Sequence, residues 1–473
     1  MSKYLYRLPY ILFIFLLPIT TLPYLNNIFK GWHVNASVYF LVILSVVIII
    51  TAVLNKKIFP GAGNVHKILT FLLIVLAVIY LSYLIMLFYF AGTIAADSLL
   101  KPAIFRFLTC LIIFVSIYIP IYYIRSDSDF SNTLRILYCA LFLLIILGYI
   151  QILAQFHISG LASVIVNSIS DLLGSGWGVN SLISYVDLFG RINLTTPEAS
   201  EAGHLLECLF LPFLMAAVIT KKSISLRRFW GLSVEKWLLI LVLPLIFCTY
   251  SSAAYIVFIG QAVVMTAIMI RNSRISKRSM IVFVSSVILI LTIVYGTGAF
   301  RVNESVNVST SITKIFDIRN NSTNTRLGFI AAGFDMFLDY PVIGVGLGNS
   351  ELFFAEYIPW WAYNNEVLEY IAEGEYMSPK SLLVLFLAET GIVGTLLLAG
   401  WFFMVFYLLK QMKVKNNDYK YIYYAMLIYG AAFIGHSFNS SYISFIWIWS
   451  IWGIYASAAG LNQSQKYKEV SNV

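Results

Sequence analysis

Charge is scarce in this sequence: 11% of its 473 residues are Asp, Glu, Lys or Arg, against roughly 25% in soluble globular proteins. That shortage excludes a water-soluble enzyme of this length, because the surface could not be coated. Cysteine is as sparse. Cys110, Cys139, Cys208 and Cys248 each sit in apolar sequence without CxxC or Cys/His spacing, which argues against a disulfide framework or a zinc site. Such cysteines serve as small hydrophobes inside helices. No internal repeat and no low-complexity segment occurs. A basic cluster is missing too. The formal charge is +9, yet the basic residues lie in short runs between apolar stretches, a distribution that marks membrane topology and not a nucleic-acid site.

What is abundant is apolar residue, 60% of the chain, arranged in runs of about 20, the length of a spanning helix. The pattern predicts an all-α polytopic membrane protein, a single integral membrane domain over 1–473. It has about twelve transmembrane helices, at 8–25, 37–54, 68–91, 107–124, 136–156, 204–220, 237–250, 253–270, 280–296, 382–409, 421–438 and 442–460. The stretch 237–270 is too long for one span and divides at Thr249-Tyr250-Ser251-Ser252, whose small polar groups suit a tight turn. The first span has a charged N-terminal flank and no small-x-small cleavage site, so it reads as a retained helix.

Loop charges set the expected orientation. With both termini cytoplasmic, the inner segments gather 22 of the 31 Lys and Arg residues, against five acids (Asp127, Asp129, Glu235, Asp418 and Glu469). Short cytoplasmic loops rich in Lys and Arg are the rule. The inner loops are brief, whereas two outer segments, 157–203 and 297–381, are long. Chemistry is therefore expected on the outer face.

Three stretches carry candidate groups. The first runs from Gly190 through Arg191, Asn193, Pro197, Glu198 and Glu201 to His204, just before the sixth span. Its acids also suit a capped helix start, where the helix dipole favours negative charge. The second begins at Arg326, which opens an amphipathic stretch over 326–338, and continues to Pro341 and Gly344-Val345-Gly346-Leu347-Gly348. Those glycines superficially resemble a nucleotide fingerprint, but no βαβ unit surrounds them; the expectation is a turn in which backbones pack closely. The third is Lys380 followed by Glu389-Thr390-Gly391-Ile392-Val393-Gly394. A carboxylate near the middle of a span costs about 2.5–3.5 kcal/mol and is a functional suspect by default, although hydrogen bonding to a neighbouring helix end is an equal alternative for Glu389. His436 joins Ser437, Asn439 and Ser440 at an outer turn. Trp360, Trp361 and Tyr363 suit either stacking on sugar rings or anchoring at lipid headgroups. Sequons at Asn193, Asn303, Asn307 and Asn321 matter only in a host that glycosylates asparagine.

In their order, spacing and common outer position these pieces resemble the O-antigen polymerase and O-antigen ligase group of bacterial membrane glycosyltransferases. The resemblance rests on Arg191 before Pro197-Glu198-Ala199-Ser200, on Arg326 with the Pro341–Gly348 pattern, and on Glu389–Gly394. It implies a GT-C-like fold in the bacterial inner (plasma) membrane, with the two long segments in the periplasm. It also implies joining of undecaprenyl-diphosphate-linked oligosaccharide units, for O-antigen in lipopolysaccharide biosynthesis or a similar surface polysaccharide, with no nucleotide sugar, cofactor or metal. The implied partners are that lipid-linked oligosaccharide, membrane lipids, a chain-length regulator and a flippase, and no nucleic acid. One departure separates the group's two activities. Ligases carry a histidine-led motif nine residues before the equivalent of Glu389, where this chain has Lys380 and Ser381. Polymerase is therefore the first expectation and transfer of finished glycan to lipid A core the alternative. A lipid-linked-glycan transporter is the rival from another class, and it would usually show paired repeats and mid-membrane charge.

The implied reaction assigns roles to the candidates. A lipid diphosphate leaves, and without a metal its charge must be met by cations, for which the guanidinium fork is best suited. Arg191 and Arg326 are the first choices, with Arg319 and Lys380 as auxiliaries. The acceptor hydroxyl calls for a base within hydrogen-bond reach; Glu198, Glu201 and His204 come first, then Glu389 or His436.

Overall fold

Inside a bilayer no water satisfies backbone N–H and C=O groups, so apolar runs must close their hydrogen bonds within the segment as helices. The computed structural model describes residues 2–20, 40–47, 50, 64–90, 100–173, 191–196, 198–224, 228–271, 320–373, 377–413, 417–438 and 445–470. These fold into α1 (Ser2–Leu16), α2 (Asn64–Tyr89), α3 (Leu100–Tyr123), α4 (Asp127–Gln155), α5 (Gly160–Leu173), α6 (Ala199–Thr220), α7 (Val234–Cys248), α8 (Ser252–Arg271), α9 (Asn321–Asp339), α10 (Ser350–Tyr357), α11 (Asn365–Glu373), α12 (Leu382–Lys413), α13 (Asn417–Ser437) and α14 (Ile446–Val470). A two-residue hairpin pairs β1 (Arg228–Phe229) with β2 (Leu232–Ser233).

Six of these helices, α2, α3, α4, α6, α8 and α12, are long and apolar enough to cross a membrane. The break expected within 237–270 falls between α7 and α8, at Thr249–Ser251. The span expected at 280–296 lies outside the described residues, as do parts of those at 8–25 and 37–54. The sixth helix begins at Ala199, a turn and a half before the expected 204, because the carbonyl of the extended cap residue Glu198 already accepts from the Glu201 and Ala202 N–H groups.

At the centre stands α6, whose apolar window is 94% buried. It packs on α7, α8 and α13, while α3 lies along α14, α2 along α12 and α1 along α4. A Cβ at Gly203 would collide with Ala254, so glycine there sets the close approach of α6 and α8. Residues 206–210 of α6 form a π-turn directly ahead of Pro212, which has no N–H to give to a regular turn.

The helix ends meet in two groups. At one end the start of α6, the α7–α8 turn, the start of α12 and the end of α13 come together through Ile192 N–H to the Cys248 carbonyl (3.2 Å) and Ser381 Oγ to the Ser437 carbonyl (2.9 Å). At the opposite end Arg7 pairs with Asp129 at 2.8 Å, and the Ile224 N–H donates to Glu235 at 2.7 Å. Arg135 donates to the Ile224 carbonyl (3.1 Å) there as well.

A lobe of α9, α10 and α11 sits at the first end around its own core of Phe329, Met336, Val345, Phe354, Val367 and Tyr370. It is bolted to the bundle at a break in α12. Gly391 adopts φ 60°, ψ −168° inside that helix, which would strand backbone groups. The loop after α9 answers them in both directions. The Val345 and Gly346 N–H groups donate to the Ala388 and Glu389 carbonyls (2.8 and 3.0 Å), while Ile392 and Val393 donate to the Pro341 and Val342 carbonyls (2.8 and 3.2 Å). The loop approaches so closely that a Cβ at Gly344 would fall on the backbone of Glu389 and Thr390, and one at Gly391 on that of Val342 and Ile343. The glycine pattern is thus a backbone clasp.

We expect Gly344→Ala, at φ +68° with no room for a Cβ, to cost about 1–3 kcal/mol of stability. Gly260→Ala, inside α8 where nothing lies within 4 Å, serves as the control that should hold or raise the midpoint, since alanine is the better helix former. Thermal unfolding in detergent measures both, and equal midpoints would show that the clasp contributes nothing.

Candidate functional site

The approach to α6 is held rigidly. Gln151 of α4 receives the Leu194 N–H (2.9 Å) and donates to the Leu194 carbonyl (3.1 Å). Thr195 Oγ donates to the Pro18 carbonyl (2.5 Å), and Thr20 Oγ to the Thr195 carbonyl (2.8 Å). Within this loop Asn193 is fully buried, its Nδ2 donating to the Thr196 carbonyl at 2.7 Å, so the sequon there is closed to modification in the folded chain. Arg191, half-buried, donates through Nε to the Thr249 carbonyl at 2.8 Å, which moors its guanidinium to the α7–α8 turn. Pro197 lies outside the described residues.

Once α6 begins, polar side chains recur every third residue: Glu198, Glu201, His204 and Glu207. This spacing follows one ridge of the helix surface, and it descends from the bundle end into the interior. Glu198 at the cap position is half-buried and receives Ser200 Oγ at 2.8 Å. Glu201 and His204 keep 6% and 5% of their surface, and Glu207 keeps none. From α13, His436 meets this ridge. Its Nε2 lies 2.6 Å from Glu207 Oε2, and its ring stacks on that of His204 with centroids 4.1 Å apart. Trp447 of α14 closes the edge of His204 at 4.9 Å.

The lobe faces this mouth with cations. Arg326 lies one turn into α9, half-buried beside Thr325, whose Oγ donates to Asn364 Oδ1 at 3.2 Å. The same Asn364 oxygen caps α11 by accepting from the Val367 N–H (3.1 Å), so α9 and α11 are tied at the level of Arg326 and Glu366. Lys380 stands before α12 with its ammonium over the rings of Tyr370 and Phe329, at 5.3 and 5.7 Å, a cation–π seat. A Cβ at Gly333 would meet Pro379, which is how α9 reaches this close to residue 380.

Mutual electrostatics bind these groups into one cluster. Burial pulls Lys380 below the ordinary lysine range and the Arg326 charge adds to that fall; Glu198, Glu366 and Glu201 oppose it. Burial likewise pushes Glu366 above the usual carboxylate range, against the pull of Arg326, the Thr325 hydrogen bond and Lys380. Two cations and three carboxylates from α6, α9, α11 and the start of α12 thus share one partly buried basin, with Arg191 on the neighbouring turn.

The other candidates are placed apart from the basin. Glu389, 2% exposed, accepts from Ser350 Oγ at 2.7 Å at the break in α12, where Arg106 donates to the Gly348 carbonyl at 2.8 Å. Burial raises Glu351 nearby, with Arg106 opposing. Trp360, Trp361 and Tyr363 lie on the lobe's surface, 85%, 41% and 45% exposed. His436 is interior, 1% exposed. Arg319, Asn439 and Ser440 lie outside the described residues. Sequence reasoning missed Glu366, Arg106 and Glu207. The last was open to discovery, since it continues the three-residue ladder and is, like Glu389, a carboxylate within an apolar span. Among the described residues no group of three or more His, Cys, Asp or Glu side chains is arranged to hold a metal ion.

A family model described as O-antigen ligase matches residues 237–399, from α7 into α12. The matched stretch takes in Arg326, Lys380 and Glu389; Arg191, Glu198 and His436 lie beyond it. The match supports the O-antigen polymerase/ligase family, which covers ligase-like and polymerase-like membrane enzymes. Together with the six apolar helices it indicates a multi-pass, all-α membrane protein of glycosyltransferase or ligase type. No curated protein matches the chain.

Because Glu198 supports the Lys380 charge, Glu198→Gln is expected to lower the pH at which Lys380 deprotonates still further. The NMR titration of 13C-methylated Lys380 reads this directly. An upward shift, or none, would show that the two groups do not share a basin.

Proposed function

We propose that this chain polymerises oligosaccharide repeat units carried on undecaprenyl diphosphate, at the periplasmic face of the bacterial inner membrane. The observation that carries the reading is the placement of Arg326 and Lys380 against the carboxylates at the head of α6, at the end of the bundle opposite Arg7 and Arg135. A lipid-linked donor keeps its tail in the bilayer and brings its diphosphate to such an edge.

In this reaction the bond between the anomeric carbon and the diphosphate breaks, and negative charge grows on the departing phosphate oxygens. Arg326 and Lys380 meet that charge, with Arg191 held at the next turn and Arg319 as an auxiliary. Cations fixed before the reaction need no reorganisation as the charge develops, which makes preorganised charge the largest catalytic contribution in most enzymes. The acceptor hydroxyl loses its proton to a group on the α6 ridge, where Glu198, Glu201 and His204 are the candidates. Glu389, bonded to Ser350, holds the clasp that places Arg326. The exposed Trp360, Trp361 and Tyr363 offer aromatic faces to the growing glycan or to headgroups. A flippase supplies the donor and a chain-length regulator limits the product.

Ligase activity is the second reading, favoured by the description of the matching family. Lysine at 380, where ligases of the group lead with histidine, weighs against it.

Purified protein in lipid, given lipid-linked repeat units and no lipid A core, is expected to lengthen them into a ladder. Extension that requires lipid A core would make the enzyme a ligase. Arg326→Ala and Arg191→Ala are expected to leave insertion intact and to slow extension by about 10²–10³-fold, the usual cost of removing one preorganised donor. Normal ladders from both variants would remove the leaving-group role of the arginines.

A further inference from the structure

The interior ladder beneath the basin is not accounted for by binding a diphosphate. Glu207 is a carboxylate at 0% exposure, and His436 sits against it at 1%. Burying such groups in an apolar bundle costs free energy that packing alone does not offset. The π-turn that carries Glu207 has a partner of its own, since Gln261 of α8 donates through Nε2 to the Glu207 carbonyl at 2.8 Å. Wide turns of this kind gather at functional sites. The sequence of exposures is also ordered. Glu201 and His204 keep 6% and 5% of their surface, Glu207 and His436 0% and 1%. His204 makes no hydrogen bond to any described residue, and its Nδ1 is buried without a partner.

We propose that His204 is the base that takes the proton of the acceptor sugar hydroxyl, and that Glu207 and His436 are positioning residues that hold its ring and balance its charge. This rests on the glycosyltransferase reading given above. A base must be reachable by the acceptor, and of the two imidazoles His204 keeps the larger trace of surface and lies within two turns of Glu198 at the head of α6. Glu201 keeps a similar trace of surface, but it already interacts with the Lys380 ammonium. When His204 takes a proton, its positive ring lies 4.1 Å from a second imidazole, and two charged rings at that distance repel strongly. Repulsion is avoided because His436 stays neutral and hands its ring N–H to Glu207, whose carboxylate supplies the counter-charge. Proton transfer thus takes the array from one net negative charge to none, in a medium that penalises net charge.

The step balances. The acceptor O–H bond breaks and its proton passes to a ring nitrogen of His204, while the freed oxygen pair bonds to the anomeric carbon. The old bond from that carbon to the diphosphate breaks with its electron pair, which leaves on the phosphate oxygen facing Arg326 and Lys380.

The test measures kcat and KM of the reconstituted full chain on lipid-linked repeat units. His204→Gln is expected to lower kcat about 10²-fold or more, the contribution of a positioned base. Glu207→Gln is expected to lower kcat about tenfold or more, as loss of an orienting carboxylate does, with KM for the donor unchanged. Glu207→Asp keeps the carboxylate and should recover most of the rate. His436→Gln stands in for Glu207→Gln if that variant fails to fold. Full kcat in His204→Gln or Glu207→Gln would overturn the proposal, as would an equal loss in Glu207→Asp, since the effect would then follow packing and not charge. A wild-type protein that does not extend the donor would instead sink the glycosyltransferase reading, so the two failures are told apart.

Discussion

The break in α12 at Gly391 is the constraint on which the rest of the outer architecture depends. A helix that stops and restarts exposes carbonyls and N–H groups that lipid cannot satisfy. Here four of them are satisfied by one loop, which donates to the carbonyls before the break and accepts from the N–H groups after it. That loop is the direct continuation of α9, the helix that carries Arg326. The position of a cation about 60 residues earlier in sequence is therefore set by the same hydrogen bonds that repair α12. Glu389 at the break takes Ser350 as its partner, and Arg106 ties the loop to α3. The glycines are required because backbone meets backbone, and any Cβ would separate the two.

From that anchor the basin follows. The beginning of α12 brings Lys380 under α9, with Tyr370 and Phe329 seating its ammonium. The head of α6 delivers carboxylates to the same place. Two cations there stand against three carboxylates, with Arg191 on the neighbouring turn as the next cation. Burial nevertheless depresses Lys380 and raises Glu366. Such opposed shifts mark a site where the protein holds charge at some cost to its stability, a recurrent property of catalytic clefts.

Much of this was legible in the sequence and some was not, for physical reasons. Small polar residues at Thr249–Ser252 announced the turn between α7 and α8 because nothing else in that apolar stretch suits a helix end. Proline and alternating glycines after Arg326 announced close backbone packing, although not its partner at Gly391, since hydrogen bonds between distant segments leave no local pattern. The run ending at His204 announced a polar helix start. The pairing at the interior end of the ladder stayed hidden. Glu207 lies in a stretch of Leu, Cys and Phe whose periodicity reads as span, and His436 is 229 residues away in the chain. Only the packing of α6 on α13 makes them neighbours. His436 read as a turn residue because Ser437 and Asn439 follow it, and it does lie in the last turn of α13, where packing against His204 and Glu207 buries it. Arg319 and the span expected at 280–296 fall outside the described residues.

The whole account requires that the lobe and basin face outward while the end bearing Arg7, Arg135 and the β1–β2 hairpin faces the cytoplasm. Single cysteines at Trp361 on the lobe and at Trp230 in the hairpin, both exposed, report this in a background with Cys139→Ser. A membrane-impermeant maleimide applied to intact cells, with the outer barrier opened, should label W361C and spare W230C until the inner membrane is permeabilised. Labelling of W230C in intact cells, with W361C protected, would place the basin in the cytoplasm and contradict the account.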